Sequence, residues 1–160
     1  MHILSISCCS LIIDNNAEAE SAADQNKDPV DFRMQIFEPR AAVTLAKAVS
    51  MAGWGNAPAG GCARGVAYLE RSRTLSSGIC EISIDEQTGK IKGHHFWSAH
   101  DSGIVIQPDS IIAQSEGGVV MGLYSVLDEK IDIVNGVVQQ YPVRHRDCMK
   151  DEVVVVEQVK

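Results

Sequence analysis

The sequence predicts an α+β domain in which antiparallel hairpins pack against helices, and three observations carry that prediction. Cys80, Ile82 and Ile84 alternate with Glu81 and Ser83, and Ile91, Gly93, His95, Trp97 and Ala99 take every second place after a turn at Asp85 to Gly89. Period-two patterning of this kind marks half-buried strands. Ala42, Leu45, Ala46, Val49 and Ala52 recur at spacings of three and four, as on one face of a helix. Finally, helices and hairpins follow one another without a regular βαβ rhythm, which favours largely antiparallel sheets.

The remaining elements follow in order. Met1 to Asn16 is apolar and β-leaning and receives no function. Ala17 to Asp24 holds good helix formers, and Pro29 after Asp28 ends that helix and opens a short one through Phe37, with Val30, Phe32 and Phe37 toward a core. The alanine-rich helix starts at Pro39 and stops at Gly53. Gly55 to Gly61, with three glycines and Pro58, is a loop, and it lacks the G-K-[ST] ending of a phosphate loop. In the stretch Ala99 to Leu123 a strand runs into a polar turn at Asp101, Ser102 and Gly103. Pro108 and Asp109 then introduce a helix from Ile111 to about Val126. Gly117, Gly118 and Gly122 each cost that helix about 1 kcal/mol relative to alanine, so a close backbone approach is expected there. Asn135-Gly136 is a hairpin turn between Ile131/Ile133 and Val137/Val138, and Val153 to Val156 is a last strand.

Composition excludes several classes. With 160 residues and 45% apolar content the chain suffices for one domain with a core. A net charge of -7, with fourteen Lys and Arg in no continuous run, argues against nucleic acid as a partner. Cys8, Cys9, Cys62, Cys80 and Cys148 lack C-x-x-C spacing and read as reduced thiols rather than a disulfide framework or zinc site. No signal peptide is read in MHILSISCCSLIID, and no run reaches the roughly 20 apolar residues of a membrane span. The compartment, periplasmic or cytoplasmic, stays open.

The order D-x-G, P-D, then A-Q-x-E-G-G-x-x-x-G-L in the central stretch resembles the molybdopterin-binding large subunit of the xanthine dehydrogenase and aldehyde oxidase superfamily, above all its isoquinoline 1-oxidoreductase beta-subunit branch. The likeness extends upstream through Lys27, Asp28, Pro29, Val30, Asp31, Phe32 and Arg33, then Ala52, Gly53 and Trp54, then Arg64, Gly65, Val66 and Ala67. Downstream it continues through Asn135, Gly136, Val138, Gln139 and Gln140, then Tyr141, Pro142 and Val143. It implies an unassigned segment at 1–16, a partial molybdopterin-binding domain at 17–160, and an edge strand at Arg64 to Leu69.

By the same resemblance, the chain is a piece of the large subunit of a molybdenum hydroxylase. Such an oxidoreductase hydroxylates an N-heterocycle or aldehyde carbon with water-derived oxygen. The implied cofactor is molybdenum-molybdopterin, in its cytosine dinucleotide form. The implied partners are an iron-sulfur small subunit, which carries the iron-sulfur clusters, the remaining parts of the large subunit and a small-molecule substrate. The cofactor-binding candidates are Gln114, Gly117, Gly118, Asp101, Ser102 and Gly103. An amide such as Gln114 both donates and accepts hydrogen bonds, although from the residues alone a polar, solvent-facing helix position is the plainer reading. Asp101 read by itself caps a turn. Relatives commonly have D-C-G, so Ser102 departs from the cysteine, as Gln107 does from an asparagine, and relatives also insert a short segment before Tyr141.

No catalytic residue is assigned. The family's base glutamate lies in a G-x-G-E loop that does not occur between Gly122 and Lys160, and Glu116 is not that base. Nor is a metal site assigned: His94, His95, His100 and Asp101 are of ligating type, but adjacent His94 and His95 are expected on opposite faces of a strand. Arg144, His145 and Arg146 read as solvated surface. The isolated chain is expected not to turn over substrate. A reading of another class is a non-catalytic α+β binding or assembly module, or a truncated remnant.

Overall fold

The computed structural model describes residues 16–58, 60–127, 132–139 and 153–158. The N-terminal apolar run, Cys8, Cys9, Cys148, the Tyr141 segment and the Arg144 cluster lie outside them. Helices α1 (Asn16–Asp24), α2 (Pro29–Ile36) and α3 (Pro39–Ala52) precede strands β1 (Cys62–Arg71), β2 (Thr74–Ile84) and β3 (Ile91–Asp101). Then come a long helix α4 (Pro108–Leu127), strands β4 (Ile133–Val134) and β5 (Val137–Val138), and strand β6 (Val153–Gln158).

Local chemistry sets the helix limits. Asp28 caps α2, its Oδ1 accepting from the Val30 and Asp31 amides at 2.8 and 3.2 Å, with Pro29 in the first turn. Arg33, fully buried, donates to the Pro29 carbonyl at 3.0 Å and lies 3.3 Å from Glu18, tying α2 to α1. Gly53 ends α3 in the left-handed region at φ 57°. The buried face of α3 is Ala41, Thr44, Leu45, Ala48 and Ala52; Ala46, expected inward, is exposed. The stripe turns because Thr44 can be buried: its hydroxyl donates to the Ala41 carbonyl at 2.8 Å and shares a 3.1 Å hydrogen bond with Ser77.

One four-stranded sheet, in the order β1-β2-β3-β6, lies between helices. Ala48 and Ala52 of α3 pack on Ile79 and Ala99 on one face, while Val119 and Leu123 of α4 pack on Phe96 on the other, with Ala67, Leu69 and Cys80 alongside. The pairings β1-β2 and β2-β3 are antiparallel, as expected, and β1 is an edge. β6 departs from that pattern by running parallel to β3. A parallel neighbour needs a crossover, which α4 and the segment after it supply. The short sheet closes on Asn135-Gly136, both at positive φ, as the sequence predicts.

β2 begins at Thr74, six residues before the apolar alternation at Cys80. Ser76, Ser77 and Gly78 hide the strand from a pattern search because they are small and polar, yet Ser76 and Ser77 are buried. β1 and β2 join through Ser72 and Arg73 alone, at φ 51° and 68°. Glu81 pairs with His95 and Ile82 with Gly93, so His94 is an extra residue in a bulge. The bulge places Ile91 and Gly93 on the opposite face from His95, Trp97 and Ala99, which the alternation alone had put together. It also overturns the expectation for the two histidines. The His94 ring meets Ser83 at 2.7 Å and His95 meets Glu81 at 3.5 Å, and Ser83 and Glu81 share one face of β2.

His100 is buried on the α4 side of the sheet, its Nε2 2.8 Å from Ser98 Oγ and its Nδ1 without a hydrogen-bond partner among the described residues. Burial pushes its imidazolium down to about 4 from the ordinary 6.5. The neutral ring is therefore the native form, and its contribution is intact above pH 6.5 and lost as the pH falls through about 4. At 1.36 kcal/mol per pH unit this removes about 3 kcal/mol. Urea unfolding at pH 7 and pH 4.5 should show most of that loss, and His100→Leu should flatten the dependence in this window. Separately, Arg33→Ala, which removes a fully buried side chain with its contacts to the Pro29 carbonyl and Glu18, should cost about 1–3 kcal/mol, read from the same unfolding curves.

Candidate functional site

The turn that ends β3 is organised by the carboxylate of Asp101. Arg40, in the first turn of α3, donates from Nε to Oδ2 at 2.6 Å and from Nη2 to Oδ1 at 2.7 Å. The two-pronged geometry fixes orientation as well as charge. Oδ1 also accepts from the Gly103 amide at 2.9 Å, and Gly103 takes φ 72°, a value glycine adopts at little cost. The Arg40 guanidinium, then the Gly103 amide, hold the Asp101 carboxyl below the usual carboxylate range, and Asp101 in turn raises Arg40. Asp101 thus caps a turn, as its residue type predicts, and anchors a helix as well.

Arg71 pairs with Thr74 and Leu75 with Asp101, so the Ser72-Arg73 hairpin tip stands at the same end of the sheet as this turn. Between them lies a cleft of about 670 Å³, lined by Arg40, Ser72, Arg73, Asp101, Ser102, Gly103 and Ile104. The Ser102 hydroxyl is enclosed and, among the described residues, has no hydrogen-bond partner. Ile104 and Ile106, on the loop leading to α4, are each 95% exposed.

Three of the six cofactor-binding candidates, Asp101, Ser102 and Gly103, are therefore brought together, while Gln114, Gly117 and Gly118 are not among the cleft's lining. Gln114 and Gly117 lie exposed on α4, and among the described residues a side chain at Gly117 would meet nothing within 4 Å, so none of them supplies a close approach there. Gly118 and Gly122 are buried, on the stripe that carries Ser115, Val119 and Leu123. They serve packing.

The sequence reading missed Arg40, Ser72 and Arg73. Arg40 follows a helix-starting proline and could be linked to Asp101, 61 residues on, only through the fold. Ser72-Arg73 lacks the Asn-Gly signal of a two-residue turn.

His94, His95 and Asp101 share one sheet face and His100 lies on the other; among the described residues no group of three or more His, Cys, Asp or Glu is placed to hold a metal ion. Cys62 is a free thiol. Arg64 gathers that first face: Nε donates to Glu81 at 2.7 Å, Nη1 to the carbonyls of Gly53 and Asn56 at 3.1 and 3.3 Å, and the guanidinium lies over Trp97 at 5.5 Å. Arg64 is the main cause of the lowered Glu81 pKa.

The sequence model of the molybdopterin cofactor-binding domain matches residues 6–142. The chain is similar to isoquinoline 1-oxidoreductase subunit beta of Brevundimonas diminuta, with 35% identity over 130 residues, or 75% of this chain and 17% of that one. It is also similar to the membrane-bound aldehyde dehydrogenase (pyrroloquinoline-quinone) of Gluconacetobacter polyoxogenes, 27% identical over 138 residues, or 73% of this chain and 18% of that one. The chain therefore spans less than a fifth of the length of these relatives. No described helix is long and apolar enough to cross a membrane.

Replacing Arg40 with Ala should raise the Asp101 pKa toward the ordinary carboxylate value, short of reaching it because the Gly103 amide remains. Arg40→Lys should leave it between, since an ammonium lacks the two-pronged fit. A carboxyl-carbon NMR titration reads both.

Proposed function

The chain belongs to the molybdopterin cofactor-binding domain family, and on that premise we propose that it forms part of the envelope holding a molybdopterin cofactor in the large subunit of a molybdenum hydroxylase. The observation that carries this reading is that the family match, 6–142, includes every candidate residue, three of which meet at one cleft. The groups present fit a ligand rich in polar atoms. Ser102 Oγ is enclosed and, among the described residues, unpartnered, the Gln114 amide is free on the surface of α4, and the space outside Gly117 is open. When bound, such a cofactor supplies two-electron oxidation with oxygen drawn from water.

The chain's own residues bind and orient. Asp101 is paired on both oxygens with Arg40 and stays ionised, so it serves as an anchor and not as a proton donor. Gln114 would donate to and accept from the pterin, with Gly117 leaving room beside it. No residue here takes the family's general-base role, so turnover belongs to the assembly with the rest of the large subunit and an iron-sulfur subunit. We assign to that assembly the cytosine dinucleotide form of the cofactor and hydroxylation of an N-heterocycle or aldehyde carbon. A second reading, a binding or assembly module without chemistry, is favoured by Ser102 in place of cysteine.

Elemental and pterin analysis of the chain, isolated with whatever co-purifies from its native cells, separates the two. Near-stoichiometric molybdenum is expected, reduced several-fold in Gln114→Ala. Its complete absence selects the second reading. The purified chain alone should give no substrate-dependent dye reduction.

A further inference from the structure

The sheet ends on β1, and the outer side of that strand is regular along its whole length. β1 pairs with β2 without a break from Cys62 opposite Ser83 to Arg71 opposite Thr74, so no bulge turns it aside. It holds neither proline nor lysine, two of the residues that blunt an exposed edge. Among the described residues no strand lies against its other side. The hairpin fixes which groups that side presents. Ser72 and Arg73 form a two-residue turn with both φ positive, so the flanking pair Arg71 and Thr74 is hydrogen-bonded, and bonding to β2 alternates from there. The backbone N–H and C=O groups of Arg64, Val66 and Glu70 therefore point away from β2.

We propose that this edge docks a second copy of the chain, the two β1 strands pairing antiparallel about a two-fold axis perpendicular to the sheet. Such an axis keeps every residue on its own face, so residues of one face stand opposite each other. Two registers give the greatest overlap of Cys62–Arg71 with itself. With Val66 at the axis, Arg64 meets Tyr68 and Glu70 meets Cys62. With Ala67 at the axis, Arg64 meets Glu70, Val66 meets Tyr68 and Gly65 meets Leu69, each twice by symmetry. The second register is the favoured one, because it joins opposite charges and sets a β-branched side chain against an aromatic one. Only methyl groups face each other at its centre. The two sheets become one, with β1 and its symmetry mate in the middle and β6 at both ends. Pairing of β1 with a neighbour's β6 would instead be heterologous and would build larger species rather than a closed pair. This inference goes beyond the cofactor reading and does not depend on it.

The test is sedimentation equilibrium of the 160-residue chain, joined to amide hydrogen exchange at low and high protein concentration. A concentration-dependent dimer is expected, in which the amides of Arg64, Val66 and Glu70 gain protection. Glu70 is exposed, so Glu70→Lys spares the fold while setting like charges opposite Arg64, and it should weaken the dimer about tenfold. Val66→Pro removes an outward N–H and leaves the bonds to β2 in place, so it should abolish the dimer. Dispersed β2 and β3 amide signals verify that each variant is folded; if Val66→Pro unfolds, Glu70→Lys decides. A monomer up to about 1 mM, or a dimer equally strong in Glu70→Lys, overturns the proposal. So does a dimer whose new protection lies away from β1. A ladder of larger species overturns it in favour of β1 against β6.

Discussion

The stretch Leu75–Ile79 of the second strand is buried on both of its faces, and the arrangement of the other elements follows from that. An alanine-rich helix lies on one side of the sheet and a glycine-bearing helix on the other. Beside Ile79 and Phe96, many residues at these contacts are small, Ala48, Ala52, Ala99, Ser77 and Ser98 among them, which leaves little apolar area per residue. Polar side chains fill the difference. Thr44 and Ser77 satisfy each other across the helix-sheet interface, and Ser98 satisfies His100 within the sheet. Ser76 and Ser115 are enclosed without hydrogen-bond partners among the described residues. A core of this kind is held by the closeness of fit more than by the quantity of hydrocarbon.

The segments that carry the family resemblance prove to be tied to one another. Asp28 caps its own helix with one oxygen and accepts the Trp54 indole N–H with the other at 3.0 Å. Arg64 reaches back to the Gly53 and Asn56 carbonyls while paired with Glu81. D-P-V-x-F-R, A-G-W and R-G-V-A are thus three sides of one joint. They position the start of the sheet relative to the three helices. The Arg40–Asp101 pair does the same at the sheet's other end, where the candidate site lies.

Much of this fold was legible. Pro29, Pro39 and Gly53 act through backbone preferences that hold in any context, and Asn135-Gly136 is equally local. What escaped depended on contacts distant in sequence. The inward turn of Thr44 needs Ser77; the early start of β2 needs cover for Ser76 and Ser77; and the pairing of Arg40 with Asp101 needs the whole α3-sheet packing. The bulge at His94 defeated period-two counting because one inserted residue reverses every face beyond it. For the site, the turn Asp101-Ser102-Gly103 was readable from residue type and resemblance. The arginines around it were not, since nothing local distinguishes a cleft arginine from a solvated one.

The parallel attachment of β6 to β3 bears on the order in which the chain assembles. β1, β2 and β3 are joined by tight hairpins and can find one another by local search, whereas Phe96 meets Val154 only after α4 has crossed the sheet. Contacts so far apart in sequence close slowly. Until they close, β3 presents a row of unpaired amides and carbonyls next to Trp97 and Phe96, which is the surface most open to pairing with a second unfinished molecule. Folding yield should therefore be governed by the last strand, although the first three contain most of the sheet.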